Sequence, residues 1–483
     1  MKKLLLLLLS GLVLLASCSE MSSLEGEGSA TAPAVSVEFS FQEDASQMFT
    51  DRDNRTEYEE KDCIEIQLNG DHAKSDSSSV QIDGSTVTVT REGVYLFTGT
   101  LDDGRIVVNA SETAKLRLVF DGAHIHSETT APLYILQADK VVLTLAKGSE
   151  NTLSNGGSFV AVDENNIDAS LFSKQDLTLN GSGSLTVTSS AGHGIVCKDD
   201  LGVTGGTYTV NSSSHGLDAN DSVRIANANF TIDAGKDAIH CENTEDTAKG
   251  FIYISSGSIK AEAEGDGIAA SAYLQIEGGE IDLLVGGGAQ NGDKASSGNY
   301  GGFMGGGPGG MRPGGSQGFS TTTEDTVSMK GLKAANSLLI SGGTFKIDSA
   351  DDSIHSDESV TINGGTFCGF WGLGGGTSCV YTGNVKTTVN GGTFNGYAST
   401  MPNSLMGGPR NGTLIGNVEL IVNGGTFTAD IVGGTVWGSQ TAACDTITGD
   451  VKTTIKGGTI GNVYALSRYP AEDLKATGDV VLN

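Results

Sequence analysis

The sequence predicts an all-β solenoid, a parallel β-helix of about 22 residues per coil, from three observations. An aliphatic residue set among small and charged ones recurs in "GHGIVCKDD", "SHGLDAND", "KDAIHCEN", "GDGIAASA", "MKGLKAAN" and "DDSIHSDE". It falls at Ile195, Leu217, Ile239, Ile268, Leu332 and Ile354, at intervals of 22, 22, 29, 64 and 22. A second column at Gly206, Ala228, Gly257, Gly279, Gly343 and Gly365 repeats the same spacings. Between the two, runs such as "DLTLNGSGSLTV" and "SLLISGGTFKID" alternate in strand fashion and break at Gly, Asn and Ser corners. One period carried by independent motifs means stacked units, and three short strands with three turns fill 22 residues. No helical pattern alternates with these strands, so βαβ folds are excluded.

From the N-terminus, residues 1–18 open on Lys2 and Lys3, run through leucines and end in "LASC" at Cys18. The apolar run is too short to span a bilayer as a mature helix, and the pattern is that of a secretory signal. It resembles the lipobox of bacterial lipoproteins, which implies lipid on Cys18 and a tether to a membrane without a span. Residues 19–34, rich in Ser, Glu, Gly and Ala, read as a flexible linker. Residues 35–382 hold the 22-residue coils. The interval of 29 is one coil plus the insertion "TEDTAKG", and that of 64 is one coil plus a Gly-, Pro- and Ser-rich loop within 286–328. From 383 to 483 the period changes: "GNVKTTVNGGTF", "GNVELIVNGGTF" and "GDVKTTIKGGTI" start at Gly383, Gly416 and Gly449, 33 apart, and "GDVVLN" starts a further unit at Gly478. The natural chain is expected to continue past it, because an uncapped solenoid end leaves a bare strand edge.

Composition narrows function. The formal net charge of −29 excludes nucleic acid as a general partner, since phosphates would be repelled. Glycine is abundant, at 70 residues, and aromatics make up only 6 %, which argues against a core of large aromatic side chains. Of seven cysteines, Cys197 and Cys241 fall two residues after the column aliphatics, in a row with Ala219, Ala270, Ala334 and Ser356. They stand two coils apart, about 9.6 Å, too far for a disulfide, and read as core packing. Cys368 and Cys379 flank a Gly-rich stretch and are a possible disulfide.

The N-terminal stretches "MFTDRDNRTEYEE", "QIDGSTVTVTREGVYLFTGTLDDGRIVV" and "LRLVFDGAHIHSETTAPLYI", with "DAIHCENTEDTAKGFIYI" and "ADDSIHSDESVTINGGTF", resemble a family of bacterial surface carbohydrate-binding domains over roughly Phe49 to Phe367. That resemblance implies a right-handed parallel β-helix, similar in shape to pectate lyases, with bound calcium and acidic, pectin-like polysaccharide as ligand. The 33-residue units lie outside it and look like the "GGT" arrays of large bacterial surface adhesins.

The columns also nominate a site. Two residues before each aliphatic stand His193, His215, Asp237, Asp266, Lys330 and Asp352; one residue after it, pointing outward, stand Val196, Asp218, His240, Ala269, Lys333 and His355. Carboxylates stacked at about 4.8 Å repel one another, so a positive group is expected among them. Calcium, which takes six to eight oxygens in irregular geometry, suits a set drawn from Asp218, Asp237, Glu242, Asp246 and Asp266, with a second at Asp351, Asp352 and Asp357. Zinc on His193, His215 and Asp237 is the rival metal, lacking any supporting Cys-x-x-Cys or His-x-x-x-His pair. A bridging calcium would let an acidic protein hold a uronate polymer, the expected activity being binding without cleavage. A calcium-dependent lyase is the alternative, with Lys249 as base and Lys198 and Lys236 behind it. An adhesin for a protein partner is the other, and Tyr300, Phe303, Phe370, Trp371 and Trp437 are the only aromatic platforms on offer for neutral sugars.

Overall fold

The computed structural model describes residues 47–246, 248–288, 291, 328–368, 379–382, 385–395, 404–406, 412–415, 417–428, 430–433, 446–466, 475–476 and 480–483. Cys18, the linker, Cys444, most of the loop within 286–328 and the five aromatic platform candidates lie outside them, as do the side chains of Cys368 and Cys379.

The chain forms a parallel β-helix. The aliphatic column pairs strand to strand without a slip: Ile195 faces Leu217, which faces Ile239, then Ile268, Leu332 and Ile354. These strands belong to an 11-stranded sheet. Each coil then bends into a second and a third strand, and both of those columns run into one 27-stranded sheet because strand Lys115–Ser127 spans them. Across both insertions the flanking strands pair without a change of register, so 29 and 64 are each one coil in space. At the N-terminal end the edge is closed by antiparallel partners, His72–Lys74 against Ile64–Gly70 and Val80–Asp83 against Thr86–Val89, the usual means of blunting an open edge.

Period-two alternation drives the inward faces. Ser184–Ser189 and Ala228–Ala234 bury every second residue, so Leu185, Val187, Phe230 and Ile232 reach the interior and the residues between them face out. At the corner that precedes the third strand the chain turns through a positive φ, as at Gly181 (φ 104°). One coil lacks glycine there, and Asn227 takes the left-handed conformation instead (φ 55°), a region that Asn tolerates better than other side chains.

The interior is a set of ladders. Cys197 and Cys241 are fully buried and free, and burial pushes both thiols up. Both are expected to resist alkylation until the solenoid unfolds, while the half-buried Cys63 reacts; mass spectrometry of labelled peptides checks it. Against the expectation from composition, large aromatic side chains stand among the fully buried described residues, Tyr95, Tyr208, Phe97 and Phe120 included. Phe345, Phe367, Phe394 and Phe427, supplied by successive "GGTF" corners, stack with centroids 4.7, 4.9 and 4.6 Å apart.

The 33-residue units continue the same stack. Ser359–Ile362 pairs with Val385–Val389, and Val385, Val418, Val451 and Val480 follow in register. The longer period adds strands rather than a new core: short four- and three-stranded sheets appear beside the two continuing columns.

The N-terminal segment is a strap on the outside. Val94, Arg117, Val142, Thr178, Gly202, Arg224 and Tyr253 form one outward row across seven coils. Residues 48–63 run along it. The Phe49 ring meets Tyr253 at 6.3 Å, the Met48 carbonyl accepts from Arg224 at 3.1 Å, and Tyr58 and Cys63 pack on Leu96, Val119 and Ala146. Midway, in the short helix Asp51–Asn54, Asp53 plugs into the sheet. Its Oδ1 takes Lys140 Nζ at 2.7 Å and the Thr178 hydroxyl at 2.5 Å, and its Oδ2 takes the Thr50 amide and hydroxyl at 2.7 Å each. The Asn180 amide and the Thr204 hydroxyl donate to the Asp53 carbonyl.

Candidate functional site

The candidate site is the outer surface of the first sheet, where the stacked columns expose their polar residues. Three of the residues two before an aliphatic serve the backbone of the next coil. His215 Nδ1 accepts the Asp237 amide at 3.2 Å, Asp237 Oδ1 the Asp266 amide at 2.6 Å, and Asp266 Oδ1 the Lys330 amide at 2.7 Å. These acids therefore have a structural task, filling a hydrogen bond that the corner leaves open.

Carboxylates of this surface also meet cations. Asp218 accepts His240 Nδ1 at 2.8 Å and lies 3.7 Å from Lys198 Nζ; Asp266 holds Lys333 Nζ at 2.9 Å. Further along, Asp351 holds Lys330 Nζ at 2.6 Å, and His355 joins Asp352 at 3.1 Å to Asp357 at 2.9 Å. The positive groups that stacked carboxylates require are thus lysines and histidines of the same or the neighbouring coil. Electrostatics follows the pairing. Burial works against the charged form of His355, but Asp352 and Asp357 outweigh it and raise its pKa, while the His355 bond lowers that of Asp357. Burial raises Asp351, and neighbouring Asp352 adds to that. His240 is likewise raised by Asp218 against the pull of burial, and Asp218 is lowered by His240.

One knot is less settled. His215, Asp237 and His240 each bring a possible ligand atom within 4.8 Å of the others, the only such group of three or more among the described residues. Asp237 Oδ2 stands 3.4 Å from His215 Nδ1 and 4.0 Å from His240 Nε2, and the half-exposed Glu242 comes within 3.8 Å of His240 Nε2. Burial and the Asp266 charge push Asp237 up to about 6, and burial beside His240 takes His215 down to about 3. The three imidazoles stack, His193 on His215 at 5.1 Å and His215 on His240 at 4.4 Å. The histidine that approaches Asp237 alongside His215 is His240, from the outward position of its own coil, rather than His193.

Of the five carboxylates nominated first, Asp218, Asp237 and Glu242 gather round His240, and Asp266 bonds Asp237 from the next coil. Asp246 does not join them by any described bond: it closes its own turn, its amide on Asn243 and its carboxylate on the Ala248 amide. Lys249, from the same insertion, is exposed and bonds Asp221 at 2.5 Å, which raises its pKa. Three outward positions are covered: Val196 lies under Ile167 and Phe159, and Ala269 and His355 are buried. Calcium needs six or more oxygens. Asp237 Oδ2 and Glu242 are the carboxylate oxygens here that face the knot without a lysine, so the chain alone is short of a full shell and a bound anion with water would have to complete it. With two imidazoles, the donor set also suits softer divalent ions.

Comparison with known proteins gives three matches. The family model described as "Carbohydrate-binding domain-containing protein" matches residues 83–370, more than half of the chain. A carbohydrate-binding domain-containing protein of Acetivibrio thermocellus is 35 % identical over 148 residues, 30 % of this chain and 52 % of that protein, so the chain spans about half the length of this relative. Among solved structures, a polysaccharide lyase-like protein from C. thermocellum, studied as a gadolinium derivative, is 35 % identical over 47 % of this chain and 92 % of its own, with a TM-score of 0.46.

Proposed function

Because the chain belongs to the carbohydrate-binding domain-containing protein family, we propose that its solenoid binds acidic, uronate-containing polysaccharide through a divalent cation, calcium first, and does not cleave it. The observation that carries this reading is the outward knot of His215, Asp237 and His240, the only group of three possible ligands within 4.8 Å of one another among the described residues, with Glu242 beside it. Asp237 and Glu242 would hold the ion, and Asp218 fixes the His240 ring through Nδ1. The ion would supply the charge that joins protein carboxylate to uronate carboxylate. The residues at the second set, Asp351, Asp352 and Asp357, are engaged with Lys330 and His355 and make a poorer cation site.

The argument against a lyase is the state of Lys249. A base for β-elimination must be a neutral amine near working pH, and Asp221 holds this amine protonated. Lipid on Cys18 would place the binding surface at a bacterial cell envelope.

The test is retention of residues 35–483 on immobilised polygalacturonate, in calcium and again with a chelator. Retention that the chelator abolishes, and that Asp237→Ala weakens by about tenfold, is the expected result. Release of unsaturated, ultraviolet-absorbing ends from the polymer would overturn the non-cleaving reading and favour the lyase.

A further inference from the structure

Beside the strap lies a cleft of about 570 Å³, far along the chain from the acidic ladder, between the helix Asp51–Asn54 and the strands Gly93–Leu101 and Lys115–Ser127. Its floor is Arg117, only 8 % exposed. The described bond of this guanidinium is a long one, 3.4 Å to the Thr144 hydroxyl, and among the described residues no carboxylate pairs with it. Arg52 and Arg55 line the same cleft and are also without an ion pair among the described residues. Burial weakens the charged form of Arg117, the Arg55 and Arg52 charges weaken it further, and the Glu57 charge offsets only part of this.

A buried cation without a counter-ion is costly, and native proteins rarely keep one to no purpose. Arg52, Arg55, Lys115 and Arg117 line the hollow together with Asp51, Glu57, Glu59, Asp62 and Glu92, and of these cations Arg117 is the buried one, without an ion pair among the described residues. The site is built rather than incidental, because Asp53 locks the strap into the sheet and so holds Arg52 and Arg55 beside it. The other lining groups have a definite character too. Asp51, Glu57, Glu59, Asp62 and Glu92 form an acidic rim of hydrogen-bond acceptors, and Tyr58 offers an aromatic ring. Guanidiniums take a carboxylate in a planar, two-bonded fork, acceptors take hydroxyls, and a ring takes the apolar face of a pyranose.

We propose that this cleft is a second, cation-independent carbohydrate site that takes a single uronate residue or chain end, its carboxylate on Arg117 and Arg55 and its hydroxyls on the acidic rim. The proposal rests on the carbohydrate-binding reading above but not on its metal. It gives the solenoid two grips on an acidic glycan, one bridged by an ion and one direct.

The experiment is calorimetric titration of residues 35–483 with sodium galacturonate and, separately, with galactose, both in chelator. Binding of galacturonate and not of galactose is expected, about ten- to a hundredfold weaker in Arg117→Met and in Arg55→Met, and unchanged in Asp237→Ala. Arg55 is exposed, so its variant reports on binding without a folding risk; unliganded Arg117→Met is expected to melt no lower than the parent, since it removes an unpaired buried charge. Equal affinity for galactose, no galacturonate binding, or affinity indifferent to both arginine variants would overturn the second site while leaving the bridged one standing. Loss in Asp237→Ala alone would assign all binding to the ladder.

Discussion

Gly181→Ala is expected to lower the stability of the solenoid by about 4 kcal/mol, among the largest effects of any single methyl group in the chain. The residue sits at a corner with φ 104°, and a Cβ there would come 2.1 Å from the Leu145 carbonyl oxygen and 2.7 Å from its amide nitrogen. Both are backbone atoms of the preceding coil, bound in a ladder where Leu145 pairs with Gly181 itself. Neither can step aside without opening the register. Gly84→Ala is the control: it too has a positive φ, but its Cβ would meet nothing within 4 Å, so a cost of about 1 kcal/mol is expected. Urea unfolding followed by far-ultraviolet dichroism compares the two. Equal midpoints would show that backbone conformation, not coil-to-coil clash, sets the glycine requirement.

The second large effect is at Asp53. Asp53→Ala removes the counter-ion of Lys140, a bond to Thr178 and half of a capping box, and is expected to cost about 3 kcal/mol. The same carboxylate makes stability acid-sensitive. Burial alone would raise its pKa, but Lys140, Thr178 and Thr50 outweigh burial and take it from 3.8 to about 2. A pKa depressed on folding gives stability that is present above the unfolded value and lost as pH falls through the folded one. The loss should therefore run from about pH 4 down to about pH 2 and amount to on the order of 2 kcal/mol. Asp53→Asn should lack that component, which urea midpoints measured across this range would reveal as a shallower slope. Identical slopes in parent and variant would mean that Asp53 is not held ionised by the sheet.

The solenoid is legible in the sequence because its contacts are periodic. Ile195, Leu217 and Ile239 face one another at the spacing that first singles them out, and Cys197 and Cys241 are interior because the same count makes them so. The stacked carboxylates are legible as a problem, but not their solution. That Lys333 would reach back to Asp266, or that His240 would turn Nδ1 to Asp218, depends on side-chain rotamers that no interval encodes. The strap is barely legible. Asp53 meets Thr178 and Met48 meets Arg224 across more than a hundred residues of chain and outside any repeat. The one available sign is Arg117 itself, a charge set into "LRLVF", where the neighbours are apolar on both faces of the strand.

The strap also sets how the protein answers to force. It crosses seven coils lengthwise, with its first contacts at Tyr253 and its last near Leu96. A load applied to the chain ahead of Met48 and directed away from the sheet would act on one crossing at a time, Phe49 first and the Asp53 plug next, as in peeling tape. The strands beneath would stay paired, since the peeling load bypasses their ladders. The segment would come off at forces set by single contacts and give up slack before any coil is lost. The solenoid thereby carries its own shock absorber, sewn along the flank instead of placed in series with the fold.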